Sequence, residues 1–271
     1  MKLAISNIAW SDRENEDINR LLDQYGVDSI EVAPTKIWPD PIRTTLSECL
    51  AYRSYWSDRT KKIVSMQSLL FGRPDLTLFG DEQSRENAYE YLAEMIRLGT
   101  SLGAKAFVFG SPKNRSAGSL SSREAYRIAI PFFERLGEVA RSYEAKFCVE
   151  PNPAAYGCDF IRNTDEGIDL VKAVGHPGFG LHLDAAAMAL NEENVGESLE
   201  KAFPVLAHFH ISEPYLQKVP SGQVNHAVIA SQLKQLQYSG YVSIEMKDGL
   251  HESNAITVKE CLDYATGIYL G

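Results

Sequence analysis

Residues 205–214 read VLAHFHISEP. The run is short, apolar and rich in β-branched and aromatic residues, which is the signature of a buried strand. It carries His208 and His210 two positions apart, so strand alternation turns both toward one face. The same pattern recurs on either side. Upstream lie GFGLHLDAA from Gly178, AKFCVEPNP from Ala145 and AKAFVFGSP from Ala104. Further back are KIVSMQSLLFG from Lys62, DSIEVAP from Asp28 and KLAISNIAW from Lys2. Downstream, YVSIEMK follows Ser239-Gly240.

Between these runs the apolar spacing changes to that of helices. Ile18, Leu21, Leu22 and Tyr25 share one helical face before Gly26 ends it. Longer amphipathic stretches cover Asp81 to Leu102 and Ser122 to Tyr143, and a last helix is expected from about Asn254 to Tyr264. Eight strands alternating with helices imply βαβ units and a parallel sheet. In one domain they predict an α/β fold closed as a single (β/α)8 TIM barrel over residues 1–271. An open doubly wound sheet would need a glycine-rich turn after an early strand, and NIAWSDREN after the first has no glycine.

In such a barrel the chemistry sits where strands end. The fifth strand ends in Glu150, the sixth in Asp184, the seventh in His210 and the eighth in Glu245. Singly, such a carboxylate reads as a helix cap or salt-bridge partner, and such a histidine as a core residue. Together, three carboxylates and an imidazole converging from consecutive strands repel one another unless a cation joins them. Oxygen and imidazole donors suit one divalent ion, Mn, Co, Mg or Zn.

The runs VEPNP, LHLDAAAM, HFHISEP and VSIEMK resemble the xylose isomerase-like TIM barrel superfamily, which includes sugar 3-epimerases, hydroxypyruvate isomerase, inosose dehydratase and endonuclease IV. The resemblance implies that Glu150, Asp184, His210 and Glu245 ligate the metal, with Glu150 and Glu245 also acting as the acid/base pair. It implies an isomerase or epimerase of a small sugar, keto-sugar or sugar phosphate, working through an enediolate whose charge the metal stabilises. A dehydratase of the inosose or dehydroshikimate type is the alternative outcome of the same first step. A non-catalytic or DNA-directed barrel is a second alternative. Two positions depart from the sugar epimerases: Ala187 stands where they carry a histidine, and Leu216 near the place of an arginine. Strands three and four lack the histidines of an endonuclease zinc cluster.

Asn7, Trp10, Glu31 and Gln67 end the first three strands and are expected to line the pocket, Trp10 by stacking on a sugar face. Asn152 and Lys247 follow two strand-end ligands by two residues, and His182 and His208 precede two others by two, so all four are expected on the inner face. Arg73, Lys113 and Arg115 lie on adjacent loops and would bind an anionic substrate group. His226, after Gly222, reads as a helix cap.

Net charge is −9, which disfavours a nucleic-acid partner. The four cysteines form no CxxC pair and read as buried thiols. No apolar run is long enough for a membrane span, and the first residues carry no signal-peptide pattern, so a cytoplasmic location is expected. The expected partner is a small carbohydrate; a homo-oligomer is implied by relatives, although no surface stripe selects one.

Overall fold

Strands form at all eight apolar runs: β1 Lys2–Ser6, β2 Ser29–Val32, β3 Lys62–Met66, β4 Ala106–Phe109, β5 Lys146–Val149, β6 Phe179–Asp184, β7 Leu206–Ser212 and β8 Tyr241–Glu245. The structure, a computed structural model, describes residues Met1 to Gly271. Each strand pairs in parallel with the next, and β8 pairs with β1 from Lys2↔Tyr241 to Ile5↔Ile244, closing the barrel. No helix is long and apolar enough to cross a membrane.

Helices start where side chains satisfy free N–H groups. Thr45 and Ser121 each form a capping box, with Glu48 and Glu124, ahead of helices Leu46–Ser57 and Ser122–Ser142. Helix Glu82–Leu102 is capped by Asp81 and stops at Gly103, whose φ of 112° favours glycine. The outer core lies between these helices and the sheet. Phe133 stacks on Phe179 with ring centroids 4.9 Å apart, and Trp56 is fully buried.

Apolar side chains fill the space behind the strands, whereas the lumen is polar. Ser6, Glu31, Ser65, His182, His208, His210, Ser212 and Ser243 are all buried there. Register shifts fall between Ile30 and Glu31, and between Leu181 and His182. Such irregularities re-aim the next side chain, here Glu31 and His182 at the level of the polar layer. All four cysteines are free and buried, as expected.

Candidate metal centre and its cavity

The four strand-end residues converge. Ligand atoms of Glu150, Asp184 and His210 lie within 4.8 Å of one another. Glu245 Oε2 is 3.4 Å from His210 Nδ1, and Asp184 Oδ2 is 4.0 Å from it. Asp184 divides its carboxylate between two roles. Its Oδ1 caps the short helix Ala185–Leu190, accepting from the Ala187 amide at 2.7 Å, while Oδ2 accepts from Ser212 Oγ. The helix-cap reading of an aspartate at a strand end is therefore true of one oxygen only.

His210 is held from behind. Its Nε2 donates to Glu31 Oε1 at 2.8 Å, which leaves Nδ1 turned toward the carboxylates. That nitrogen is buried and has no hydrogen-bond partner. A buried imidazole nitrogen without a hydrogen-bond partner, facing carboxylate oxygens, fits a donor set able to hold a cation, since such atoms are ordinarily paired. Gly110 makes room for the cluster: a Cβ there would sit 1.8 Å from Glu150 Oε2.

The electrostatics agree. Burial, and then the charges of Asp184 and Glu245, push the Glu150 carboxyl up to about 8. Burial and Glu245 push Asp184 up to about 6. Burial alone would lower His210, but Glu31 and Glu245 outweigh it and hold the imidazole well above its ordinary value. Carboxylates that resist ionisation next to one another are stabilised as anions by a cation placed between them. The donor set, carboxylate oxygens plus one imidazole, fits Mn, Co, Mg or Zn.

Glu31 is not a pocket residue. It is fully buried beneath the cluster and saturated by four side chains. His210 and His208 donate at 2.8 Å each, Ser65 at 2.6 Å and Ser243 at 3.2 Å. Burial would raise its pKa, yet the two histidines hold it well below the carboxylate range. His182 packs on His210 with ring centroids 4.1 Å apart, and neither ring nitrogen has a partner. Burial and the neighbouring histidines keep it neutral, with its pKa well below the usual imidazole value.

A cavity of about 590 Å³ opens over the cluster, lined by Glu150, Asp184 and Glu245. It also reaches Gln67, Asn152 and Lys247 from the expected set. Gln67 is tied to Ser6 and Ser68, and Asn152 donates to the carbonyls of Gly110 and Glu150. Lys247 is exposed and points no salt bridge at the carboxylates of the cluster.

Other expected residues are placed elsewhere. Strand β1 stops at Ser6 and turns through Asn7–Ala9, so Asn7 bonds the Ala33 amide at 2.8 Å. Trp10 is 1% exposed, donates to Asn15 at 2.7 Å and packs on Trp56, so it offers no face to a sugar. Arg115 is fully buried and donates to the carbonyls of Phe160, Phe109 and Glu150, which makes it a loop clamp. Arg73 pairs with Asp75 at 2.7 Å and covers the Tyr91 ring, and Lys113 is exposed outside the cavity. The anion-binding trio is thus not assembled. His226 does not cap its helix: Asn225 does, while His226 bonds Tyr269 at 2.8 Å.

Ser212, Phe71, Tyr156 and Tyr215 were not singled out from sequence, yet all line the cavity. Ser212 follows His210 by two, so alternation was a sufficient signal for it. The aromatics sit on loops and had none.

A family model described as a xylose isomerase-like TIM barrel matches residues 20–263. The D-psicose 3-epimerase of Ruminiclostridium cellulolyticum is 30% identical over 125 residues, covering 41% of this chain and 42% of that protein. The match thus spans less than half of this curated relative. Among solved structures, a D-psicose 3-epimerase from Clostridium cellulolyticum superposes with a TM-score of 0.82 at 17% identity, over 99% of both chains. A 3-keto-D-glucoside 4-epimerase from E. coli gives 0.82 and 17%, over 98% of this chain and 99% of that one. At such identity the likeness is one of fold.

Proposed function

Because the chain belongs to the xylose isomerase-like TIM barrel family, we propose that it is a divalent-cation-dependent isomerase or epimerase of a small neutral sugar or keto-sugar. One observation carries the reading: the buried, unpartnered Nδ1 of His210 facing Asp184 and Glu245. Glu150, Asp184, His210 and Glu245 would hold the cation. When bound, it supplies positive charge beside the substrate oxygens as negative charge develops on them.

The remaining chemistry belongs to the chain. Glu150 and Glu245 stand at the ends of β5 and β8, separated around the barrel by β6 and β7. One carboxylate removes the proton next to the substrate carbonyl; the other returns a proton to the opposite face or to the neighbouring carbon. Exposed Lys247 is free to meet a substrate oxygen. Neutrality of the substrate is supported by the lining, where Glu150, Asp184 and Glu245 face a single cation, Lys247, and the Glu213 carboxylate is turned to Ser221 and Gly222. The sugar-epimerase relatives support the substrate class.

The test is metal content and turnover together. Purified protein reloaded with Mn is expected to hold about one ion per chain and to convert a keto-sugar without change of mass. In Glu245→Gln the ion should be lost or weakened and conversion should fall by about 10²- to 10⁴-fold. A product lighter by one water would move the assignment to a dehydratase. No bound ion, and no thermal shift on adding Mn, would overturn the reading.

A further inference from the structure

The carboxylates of the candidate metal centre are held in different ways. Asp184 is tied at both oxygens: Oδ1 accepts from the Ala187 amide at 2.7 Å, and Oδ2 accepts from Ser212 Oγ. The hydrogen bonds at Glu150 fall on its backbone carbonyl, from Arg115 and Asn152. Glu245 meets the His210 imidazole at 3.4 Å. We infer that Ser212 is a positioning residue that fixes the Asp184 carboxylate and thereby selects the cation, favouring a small six-coordinate ion such as Mn over the larger Ca. The inference rests on the cation centre proposed above and adds what sets the choice of ion.

Ser212 is suited to the task because its hydroxyl has one direction left. The residue is 1% exposed, and its Oγ accepts from the Ala186 amide at 3.1 Å. A hydroxyl that accepts on one side turns its single proton to the other, here to Asp184 Oδ2. Sheet register alone would allow a different partner. Ser212 lies beside Glu245 in the pairing of β7 with β8, while Asp184 lies beside His210 in the pairing of β6 with β7. The Ala186 amide therefore decides between the two carboxylates. Ala186 and Ala187 both belong to the first turn of the helix Ala185–Leu190, where backbone N–H groups have no partner within the helix. The turn, the serine and the aspartate close a ring of three hydrogen bonds, and all four residues are buried.

The consequence is rigidity. A carboxylate bonded at both oxygens cannot rotate without breaking one of the bonds, and each oxygen has already used one acceptor position. Ca takes about six to eight oxygen ligands in a flexible shell and often draws on both oxygens of a carboxylate. Smaller ions of the Mn and Mg kind prefer about six ligands in near-ideal geometry, which a fixed donor serves. Glu150 and Glu245 carry no such clamp, which suits carboxylates that gain and lose protons.

The experiment is calorimetric titration of the cation-free full chain with Mn and with Ca, on the wild type and on Ser212→Ala. Ser212→Ala should weaken Mn binding by about 10-fold or more, as the loss of a hydrogen-bond partner behind a metal ligand does. Ca should lose less, so the preference for Mn over Ca should narrow by about 10-fold. Ser212→Thr, which keeps the hydroxyl, should return that preference toward the wild-type value. A packing defect would instead lower the thermal stability of the cation-free variant and weaken both ions alike. Equal weakening of Mn and Ca in Ser212→Ala, or an unchanged affinity for Mn, would overturn the inference and keep the cation centre. No binding of Mn by the wild type would remove the centre and the inference with it.

Discussion

The two mouths of the barrel hold cavities of similar size, about 590 Å³ where the strands end and about 530 Å³ where they begin. Their linings are opposite. The first gathers Glu150, Asp184, Glu213 and Glu245; the second gathers Arg53, Lys61, Lys62, Lys105 and Lys146 with no carboxylate among them. The cations of the second mouth are largely answered from just outside it. Lys61 pairs with Asp23, Lys62 with Asp28 at 2.8 Å, and Lys105 reaches the Tyr143 carbonyl at 2.8 Å. The acids of the first mouth crowd one another and leave a histidine nitrogen open. Volume and charge density alone would rank the two mouths together. What separates them is unpaired polarity under burial, which is costly and persists where function requires it.

The comparison breaks most sharply at Glu31, which holds His210 from behind. Glu31→Gln should weaken binding of Mn by about 10- to 100-fold in a titration. It should also lower stability by about 3–5 kcal/mol in urea unfolding of the cation-free protein, because His208 and His210 lose the carboxylate that both are bonded to. Unchanged affinity would mean that His210 is positioned by packing alone.

A second contrast is in acid. Burial would raise Glu213, but the His226 imidazole 3.5 Å away and the hydrogen bonds from Ser221 outweigh it and hold its pKa below the ordinary carboxylate value. A carboxyl lowered in the folded state contributes stability above its unfolded pKa and loses it as pH falls through the folded value. Stability should therefore decline below about pH 4.5, and Glu213→Gln should flatten that decline in denaturation followed across pH 3 to 6. At the other mouth Asp28 is lowered chiefly by Lys62, but its side chain is 54% exposed, so Asp28→Asn should change the acid limb far less. Equal slopes in the two variants would contradict the contrast.

The smallest effect is expected at Lys146. Lys146→Ala should alter stability by no more than about 0.5 kcal/mol and leave the Mn stoichiometry as it was. Loss of metal in that variant would mean that the two mouths are coupled.

The eight strands and the convergence of the four strand-end residues were legible because period and burial speak through residue type. Alternation tells which face a side chain joins, and it placed His182 and His208 on the inner face. It does not tell how deep they sit, because depth depends on the stagger between neighbouring strands, a property of the closed barrel. Hence Glu31 was expected at the pocket and lies beneath it. Trp10 and Arg115 failed for a different reason. Each lies near a tight 3-10 turn, Asn7–Ala9 and Lys113–Arg115, that folds its side chain into protein. The cavity aromatics Phe71 and Tyr215 were not found because their loops turn through left-handed Ser68, Tyr215 and Leu216, residue types that do not mark such turns.

The four bonds of Glu31 also bear on how the barrel comes together. Its partners lie 34, 177, 179 and 212 residues along the chain. A nascent chain that has made only β1 to β4 can offer this carboxylate Ser65 and nothing else, so it remains hydrated and the lumen cannot dry. The first half of the barrel therefore has no stable interior of its own. Loop closure over such separations is slow to be rewarded, and here the reward arrives with β7 and β8. Closing the sheet and assembling the site are one event, late in folding, so that a chain able to finish its core has already built the place where chemistry can occur.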